Sequence, residues 1–358
     1  MTPASPWDPA GLRDRMQSLL DEFVDRQAER LTPLGDDADR LVGAARGAVQ
    51  GGKRFRAMFC ACGFRAVREA EADEVDALLR ASASLELLHA SALVHDDYMD
   101  ASDTRRGRPT THRAFARAHR GAGWRGDPRQ YGAAAAILLG DLLLSWSDEM
   151  LRSCGLPMER VTEALRVFDT TRSEVIVGQF LDVSVQARGD SDVEQSMRVV
   201  RYKSAKYSIE RPLHVGATLA GGTPEVLDAL SAYGLPLGEA FQLRDDLLGV
   251  FGDPEITGKP AGDDLSEGKR TVLVALALAG SSPTDAKTLD EGLGQPLSGH
   301  EVAELQRIIE RSGAHAEVER RIEELTTESL EAVDAAPVTE DARRTLRDLA
   351  AAATQRVV

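Results

Sequence analysis

Apolar residues recur at helical spacing along most of the chain. Leu12, Met16, Leu19, Leu20 and Phe23 predict a first helix over about 9 to 31, with Asp8 as N-cap and Pro9 at the first helical position. A second is predicted from 36 to about 49, stopping at Gly51-Gly52, and a third begins at once with Lys53-Arg54-Phe55-Arg56. The longest uninterrupted stretch, 73 to 101, holds Leu78, Leu85, Leu88, Ala92 and Met99 at helical spacing and contains neither Pro nor Gly, so it predicts one long helix. Helices over 131 to 153, 158 to 186 and 191 to 220 follow, the last kinked at Pro212 because proline lacks the amide proton. Thr223-Pro224-Glu225 starts the next, which ends within 238 to 253. Residues 258 to 271 are too rich in Gly and Pro for a helix. Beyond Thr271 the pattern predicts short helices, a connection over about 280 to 299, and a capping box at Ser298 and Glu301. No strand-period run and no repeat appears, so the expected class is all-α.

Two of these helices end in carboxylates. The stretch 73 to 101 closes on His95-Asp96-Asp97-Tyr98-Met99-Asp100. Asp96 and Asp100 lie one turn plus about 40° apart, on one face, with Asp97 about 100° round. Like charges so placed repel unless a cation sits among them, and all-oxygen donors point to Mg²⁺ or Mn²⁺ rather than zinc. A solvated acidic helix end is the alternative for a lone pair, but Asp245-Asp246 repeat the arrangement far downstream. Each acidic end is followed by a cationic loop. After the first come Arg105, Arg106, Arg108, Arg113, Arg117, Arg120, Arg125 and Arg129 against only Asp103 and Asp127; after the second come Lys259 and Lys269. Arginine forks suit phosphate. The rival, a nucleic-acid patch, lacks interleaved aromatics beyond Phe115 and Trp124. Gly51-Gly52 before three cations likewise suits an anion, the alternative being an ordinary helix break.

Composition narrows the classes. Lys and Arg total 43 against 58 acids in 358 residues, a net charge of −15, which argues against general nucleic-acid binding. The three cysteines, Cys60, Cys62 and Cys154, show no C-x-x-C spacing and read as free thiols of a reducing compartment. The N-terminus lacks the basic and apolar regions of a signal peptide, and the longest apolar run, 133 to 146, is too short to span a bilayer and is interrupted by Asp141. The expectation is a cytoplasmic protein with no membrane span.

Six separated motifs then resemble, in order, those of the trans-isoprenyl diphosphate synthases, or polyprenyl synthetases: Gly51-Gly52-Lys53-Arg54-Phe55-Arg56, Asp96-Asp97-Tyr98-Met99-Asp100, Arg105-Arg106-Gly107-Arg108-Pro109-Thr110, Gly178-Gln179, Lys203-Ser204 and Phe241-Gln242-Leu243-Arg244-Asp245-Asp246. The match covers roughly 51 to 271. The resemblance implies a single all-α domain over 1 to 358 of isoprenoid synthase type, a helical bundle around a central cavity with the acidic motifs facing each other across its mouth, usually a homodimer. It implies that Mg²⁺ helps ionise an allylic diphosphate, that the double bond of isopentenyl diphosphate attacks the carbocation, and that a proton is then lost. By the same resemblance Asp96, Asp100 and Asp245 ligate Mg²⁺, with Asp97, Asp246 and Asp264 in support. Arg105, Lys203 and Lys259 match the donors to the allylic diphosphate; Lys53, Arg56, His89 and Arg106 match the isopentenyl diphosphate site. Gln179, Ser204, Phe241, Gln242 and Lys269 complete the implied substrate contacts, and Lys203, Gln242 and Lys259 join the metal ligands as the implied catalytic set. Two positions depart from the pattern: Gly249 stands where many relatives have a third Asp, and Ser204 where Thr is usual.

Product length is read from the helix before the first acidic motif. Relatives that stop at fifteen carbons commonly carry bulky aromatics four or five positions before it, where this chain has Ala92 and Ser91. The floor of the cavity then drops a turn, roughly 5 to 6 Å, toward Leu88 or Leu85. Geranylgeranyl diphosphate, twenty carbons, is the expected main product, with farnesyl or longer polyprenyl diphosphates as alternatives and Phe115 or Phe168 as other candidate floors. A terpene cyclase needs no second diphosphate site, which Lys53, Arg56 and His89 supply; a catalytically silent partner subunit is disfavoured by intact carboxylates in both motifs.

Overall fold

The computed structural model describes residues 9–253 and 261–354. Nearly all of them are helical. The only strands among the described residues, Thr104–Arg105 and Arg108–Pro109, pair antiparallel over two residues each, too briefly for a period of two to show in the sequence. By its contacts the chain divides into two units, residues 1–61 with 69–165 and residues 62–68 with 166–358.

The first unit holds α1 (Pro9–Leu31), α2 (Asp36–Ala48), the start of α3 (Phe55–Val67), α4 (Val75–Met99), α5 (Thr111–Gly121) and α6 (Pro128–Arg152). These agree with the predicted helices to within a few residues. Two ends moved: α3 starts at Phe55 rather than Lys53, and α6 starts at Pro128, where Asp127 caps it by accepting from the Arg129 amide at 2.9 Å. The proposed N-cap Asp8 lies outside the described residues. The core of this unit is made by Val75, Leu79, Ala83, Leu87, Ala90 and Val94 of α4 with Leu139, Leu143, Trp146 and Met150 of α6 and Met16, Leu20 and Phe23 of α1. That face of α4 is roughly opposite the one carrying Leu85, Leu88 and Ala92. Leu78, Leu85 and Leu88 are nonetheless buried, whereas Met99 is 49% exposed, against its place in the predicted apolar stripe. A helix that is apolar all round is one that is buried all round. By length and composition α4 is apolar enough to cross a membrane, but its most apolar stretch is 78% buried in the protein.

The second unit holds most of α7 (Met158–Arg188), α8 (Val193–Val199), a π-helical segment (Val200–Glu210), α9 (Arg211–Ala220), α10 (Pro224–Phe251), α11 (Asp263–Glu267), α12 (Val272–Gly280), α13 (Pro283–Gly292), α14 (Gly299–Arg311), α15 (Ala314–Ala335) and α16 (Glu340–Thr354). Where a kink was expected at Pro212, the helix runs from the π segment directly into α9, with Pro212 in the first turn of α9. Pro224 opens α10 as expected, though the Thr223 side chain does not cap it. The capping box forms: the Ser298 amide donates to Glu301 at 2.7 Å and the Glu301 amide to Ser298 Oγ at 3.4 Å. Three expectations fail. Residues 283–292 are helical rather than a connection, because Ser282-Pro283 is a cap followed by an N1 proline, with Ser282 Oγ accepting from Asp285 at 3.2 Å. Residues 263–267 make a short helix, and α15, at 22 residues, is not short.

Arg244, inside the second acidic motif, serves the fold. Its Nη1 and Nη2 donate to Glu319 of α15 at 2.6 and 2.7 Å, and its Nε donates to the Thr354 carbonyl of α16 at 3.1 Å. The Arg244 side chain is only 12% exposed, so the pair is screened little by water. Arg244→Ala should lower the free energy of unfolding by about 2 to 3 kcal/mol in urea titration, by stranding the Glu319 carboxylate and a helix-end carbonyl.

Candidate functional site

In the first unit the acidic motif ends α4. Asp100 is its C-cap, and no basic residue occupies the last turn. Carboxylates at the negative end of a helix dipole are disfavoured by about 0.3 to 1 kcal/mol each unless a cation offsets them. Arg105 does this. Its Nε and Nη2 lie 2.7 and 2.6 Å from Asp97 Oδ1, while Asp96 Oδ2 is 3.8 Å away. Asp97 is buried because it falls on the same face of α4 as Ala90 and Val94, and its side chain is 7% exposed against 20% for Asp96. The three carboxylates thus divide. Asp97 orients an arginine, and Asp96 and Asp100 share the other face. His95 pins this helix end to α6, its Nε2 3.2 Å from the Ile137 carbonyl and 3.7 Å from Asp141.

The Gly51-Gly52 joint is occupied by the chain's own cation. Both glycines have positive φ, 69° and 91°, and Arg106 lies over them, its Nη1 donating to the Gln50 carbonyl at 2.7 Å. Arg54 does not face outward with Lys53. It is buried, ion-paired to Glu86 of α4 at 3.3 Å, and donates to the Val49 carbonyl at 2.5 Å and to Gln17. Glu86 also accepts from the Ala57 amide at 3.2 Å, so the pair fastens the start of α3 to α4. The sequence places Arg54 among three cations suited to an anion, a reading this pairing corrects, and gives Glu86 no role. The available signal was Glu86 itself, an acid in the middle of an apolar helix. Three non-glycine residues among those described have left-handed φ, Arg54, Ala101 and Arg106, and all lie in the two loops beside these motifs. Such backbone persists only where surrounding contacts over-determine it.

His89 sits two turns before Asp96 on nearly the same face. Burial, and then the charges of Arg56, Arg105, Arg106 and Arg54, hold its pKa well below the ordinary histidine value, so the ring is neutral at pH 7. Burial and the repulsion of Arg54 and Arg105 likewise lower Arg106. The unit therefore gathers His89, Arg56, Arg105 and Arg106 within electrostatic reach of one another, with Lys53 exposed at the joint. Of the chain-length candidates, Ala92 and Leu88 share the Asp96 face, Ala92 half-buried and Leu88 buried. Ser91, buried, lies about 140° round the helix from Asp96.

In the second unit Lys203 is held by Asp182 at 2.5 Å, which joins the Gly178-Gln179 motif of α7 to the π segment; Ser204 beside it is buried. Gln179 and Phe241 are half-buried. On α10, Gln242 Nε2 donates to Asp246 Oδ1 at 2.8 Å. Asp246 is buried, and burial pushes its carboxyl up to about 8, with Gln242 opposing and Asp264 and Asp245 adding to the rise. Asp245 is half-buried on the neighbouring face. Gly249 explains the departure in this motif. A Cβ built there would fall 1.9 Å from Asp264 Oδ2, so the Asp264 carboxylate, delivered by α11, fills the room a third acid's side chain would need. Lys269 secures it at 3.0 Å and reaches Glu267 at 2.6 Å. Lys259 lies outside the described residues.

The aspartates offer only hard oxygen donors. Among the described residues no three acids or histidines already converge into a metal cage. Hard oxygen donors suit a small divalent cation, which can keep several waters and be held by one or two carboxylates together with substrate phosphates.

The chain matches the family model for polyprenyl synthetase over residues 39–311. It is 32% identical over 348 residues to geranylfarnesyl diphosphate synthase of Natronomonas pharaonis, covering 93% of this chain and 94% of that protein. It is 37% identical over 267 residues to (2E,6E)-farnesyl diphosphate synthase of Mycobacterium bovis, covering 72% and 69%. Among solved structures it is similar to geranylgeranyl pyrophosphate synthase from Corynebacterium glutamicum complexed with isoprenyl diphosphate and magnesium, with 42% identity, a TM-score of 0.95, and coverage of 98% of this chain and 100% of that one.

The Arg54–Glu86 pair, each side chain 5% exposed, generates a stability prediction independent of turnover. Glu86→Ala should cost about 3 to 5 kcal/mol in chemical denaturation by leaving the arginine charge buried and unmatched. Glu86→Met with Arg54→Met should recover much of that loss.

Proposed function

The chain belongs to the polyprenyl synthetase family and is a trans-prenyltransferase; from that premise we propose that it condenses isopentenyl diphosphate with an allylic diphosphate in the presence of Mg²⁺ and makes chiefly geranylgeranyl diphosphate. The observation that carries the reading is the placing of two cations beside the acidic end of α4, Arg105 on Asp97 and Arg106 over the Gly51-Gly52 joint.

Asp96, Asp100 and Asp245 would hold Mg²⁺, with Asp97, Asp246 and Asp264 in support. When bound, the metal supplies charge neutralisation at the leaving diphosphate. The chain's own groups do the rest. Arg105, Lys203 and Lys259 take the allylic diphosphate, and two of them are oriented beforehand, Arg105 by Asp97 and Lys203 by Asp182. Lys53, Arg56, Arg106 and His89 take isopentenyl diphosphate. A neutral imidazole donates one hydrogen bond there without adding to the repulsion among the arginines. Gln242 acts through Asp246, while Gln179, Ser204, Phe241 and Lys269 line the substrate path.

The twenty-carbon assignment rests on Ala92, small and on the Asp96 face, above a buried Leu88, with Ser91 as a flanking position. The relatives carry names for fifteen-, twenty- and twenty-five-carbon products, and the similar structure from C. glutamicum carries the twenty-carbon name. A homodimer is supported by large apolar side chains left exposed, Ile137 and Leu138 on α6 and Ile176, Val177 and Phe180 on α7. A cytoplasmic location agrees with three free, buried cysteines.

Incubation of purified protein with labelled isopentenyl diphosphate, dimethylallyl diphosphate and Mg²⁺ should give geranylgeranyl diphosphate; products no longer than fifteen carbons would overturn the length assignment, and no condensation at all the activity. Asp96→Ala or Asp245→Ala should lower turnover by two or more orders of magnitude with the unfolding midpoint nearly unchanged. Ala92→Phe should shorten the main product by at least one five-carbon unit, and unchanged products would move the floor to another helix.

A further inference from the structure

The arginines that follow Arg106 are not accounted for by the site above. Helix α5 carries three arginines and no acid in a chain with a net charge of −15. Arg113, Arg117 and Arg120 fall at i, i+4 and i+7, hence on one face. The adjoining face, about 100° round, is buried through His112, Ala116 and His119. His119 fixes it further, with its Nε2 3.0 Å from the Arg125 carbonyl and its ring 5.3 Å from that of Tyr131. The arginine face therefore cannot turn inward.

Against it stands the small hairpin. Asp103, Thr104 and Pro109 line an open surface pocket of about 310 Å³ with Arg113, Arg117 and Arg120. The wall is rigid. Thr110 Oγ1 donates to the Ser102 carbonyl at 2.8 Å, the Thr110 amide donates to Asp103 at 3.1 Å, and the strands pair Thr104 with Pro109. Asp103 meets Arg113 at 2.6 Å and neutralises one charge of three. Among the described residues neither Arg117 nor Arg120 enters an ion pair, unlike Arg320, Arg321, Arg344 and Arg347 on α15 and α16. Arg105 and Arg106 leave the same hairpin in other directions, to Asp97 and to the Gln50 carbonyl, so this pocket is a separate place.

We propose that the pocket between the arginine face of α5 and the hairpin is a second anion site, outside the carboxylate motifs, and that it binds a diphosphate group. Two uncompensated guanidinium groups one turn apart match an anion with two linked phosphoryl groups, which both forks can grip, better than a single phosphate. Such a group has two sources, free inorganic diphosphate and the head of a prenyl diphosphate. The site needs no divalent metal, since no carboxylate but Asp103 faces it.

That independence sets the test and separates it from the proposed reaction. Full-length protein carrying Lys53→Ala and Arg56→Ala is titrated calorimetrically with inorganic diphosphate in EDTA, then compared with the same protein carrying Arg117→Ala and Arg120→Ala as well. We expect saturable binding in the first and at least tenfold weaker binding in the second, with equal thermal midpoints because both arginines are exposed. Replacing both by Lys should restore part of the affinity. Geranyl diphosphate in place of inorganic diphosphate identifies the source, read only as the part of the affinity that Arg117→Ala and Arg120→Ala remove: a larger part assigns the prenyl head group, a smaller part the free anion. No binding in the first protein, equal binding in the two, or displacement of diphosphate by a single-stranded oligonucleotide at lower concentration would overturn the assignment.

Discussion

Arg105 bound to Asp97 is the contact on which the candidate site of the first unit depends. A long helix ending in three carboxylates works against its own dipole, and the middle carboxylate falls on the buried face of α4. Burying it alone would leave an ion without water. Pairing it with an arginine from the next loop resolves both difficulties, because the guanidinium offsets the helix end and the carboxylate fixes the fork. The loop is thereby tied back onto α4, and Arg106 beside it is held over the Gly51-Gly52 joint. One ion pair thus positions two cations and leaves Asp96 and Asp100 together on the adjoining face.

The second unit solves the same problem with different partners. Lys203 is oriented by Asp182, and Asp264 by Lys269. Gly249 is the instructive case. Read along the sequence it is a lost carboxylate; in three dimensions it is the space that lets Asp264 approach α10. An acid from the short helix α11 takes the room of one on α10, so the number of oxygen donors near Asp245 and Asp246 need not fall.

Most helices were legible because their apolar spacing and caps are local properties. So was the carboxylate pattern, since i and i+4 on a helix are neighbours whatever the helix touches. What escaped the sequence was partnership. Arg54 stood among cations in a motif that reads as phosphate-binding, yet Glu86, thirty-two positions away, draws it inward. Arg244 sat within an acidic motif and serves two distant helices instead. The helix at 283–292 was missed for a different reason: Ser, Pro and Thr mark loops and helix starts alike, and only the hydrogen bond from Asp285 to Ser282 distinguishes them. Asp97 and Asp96 could not be separated by charge or adjacency, but only by asking which face of α4 the core takes.

The crowding of cations in the first unit bears on how a substrate would be held. Two unit charges 6 Å apart repel by about 3 kcal/mol at an effective dielectric of 20. Arg54, Arg56, Arg105 and Arg106 all act on His89, and two of the guanidinium groups have carboxylate partners, Glu86 and Asp97. The remaining repulsion is visible in His89, which is held neutral, and in Arg106, whose pKa is lowered. An arriving diphosphate relieves that repulsion as well as making its own hydrogen bonds. The fold, through buried ion pairs and left-handed loop residues, has already done the work of bringing the cations together, so the ligand does not have to. The same reasoning explains why His89 suits the place better than a further lysine or arginine: it offers a donor and no further charge.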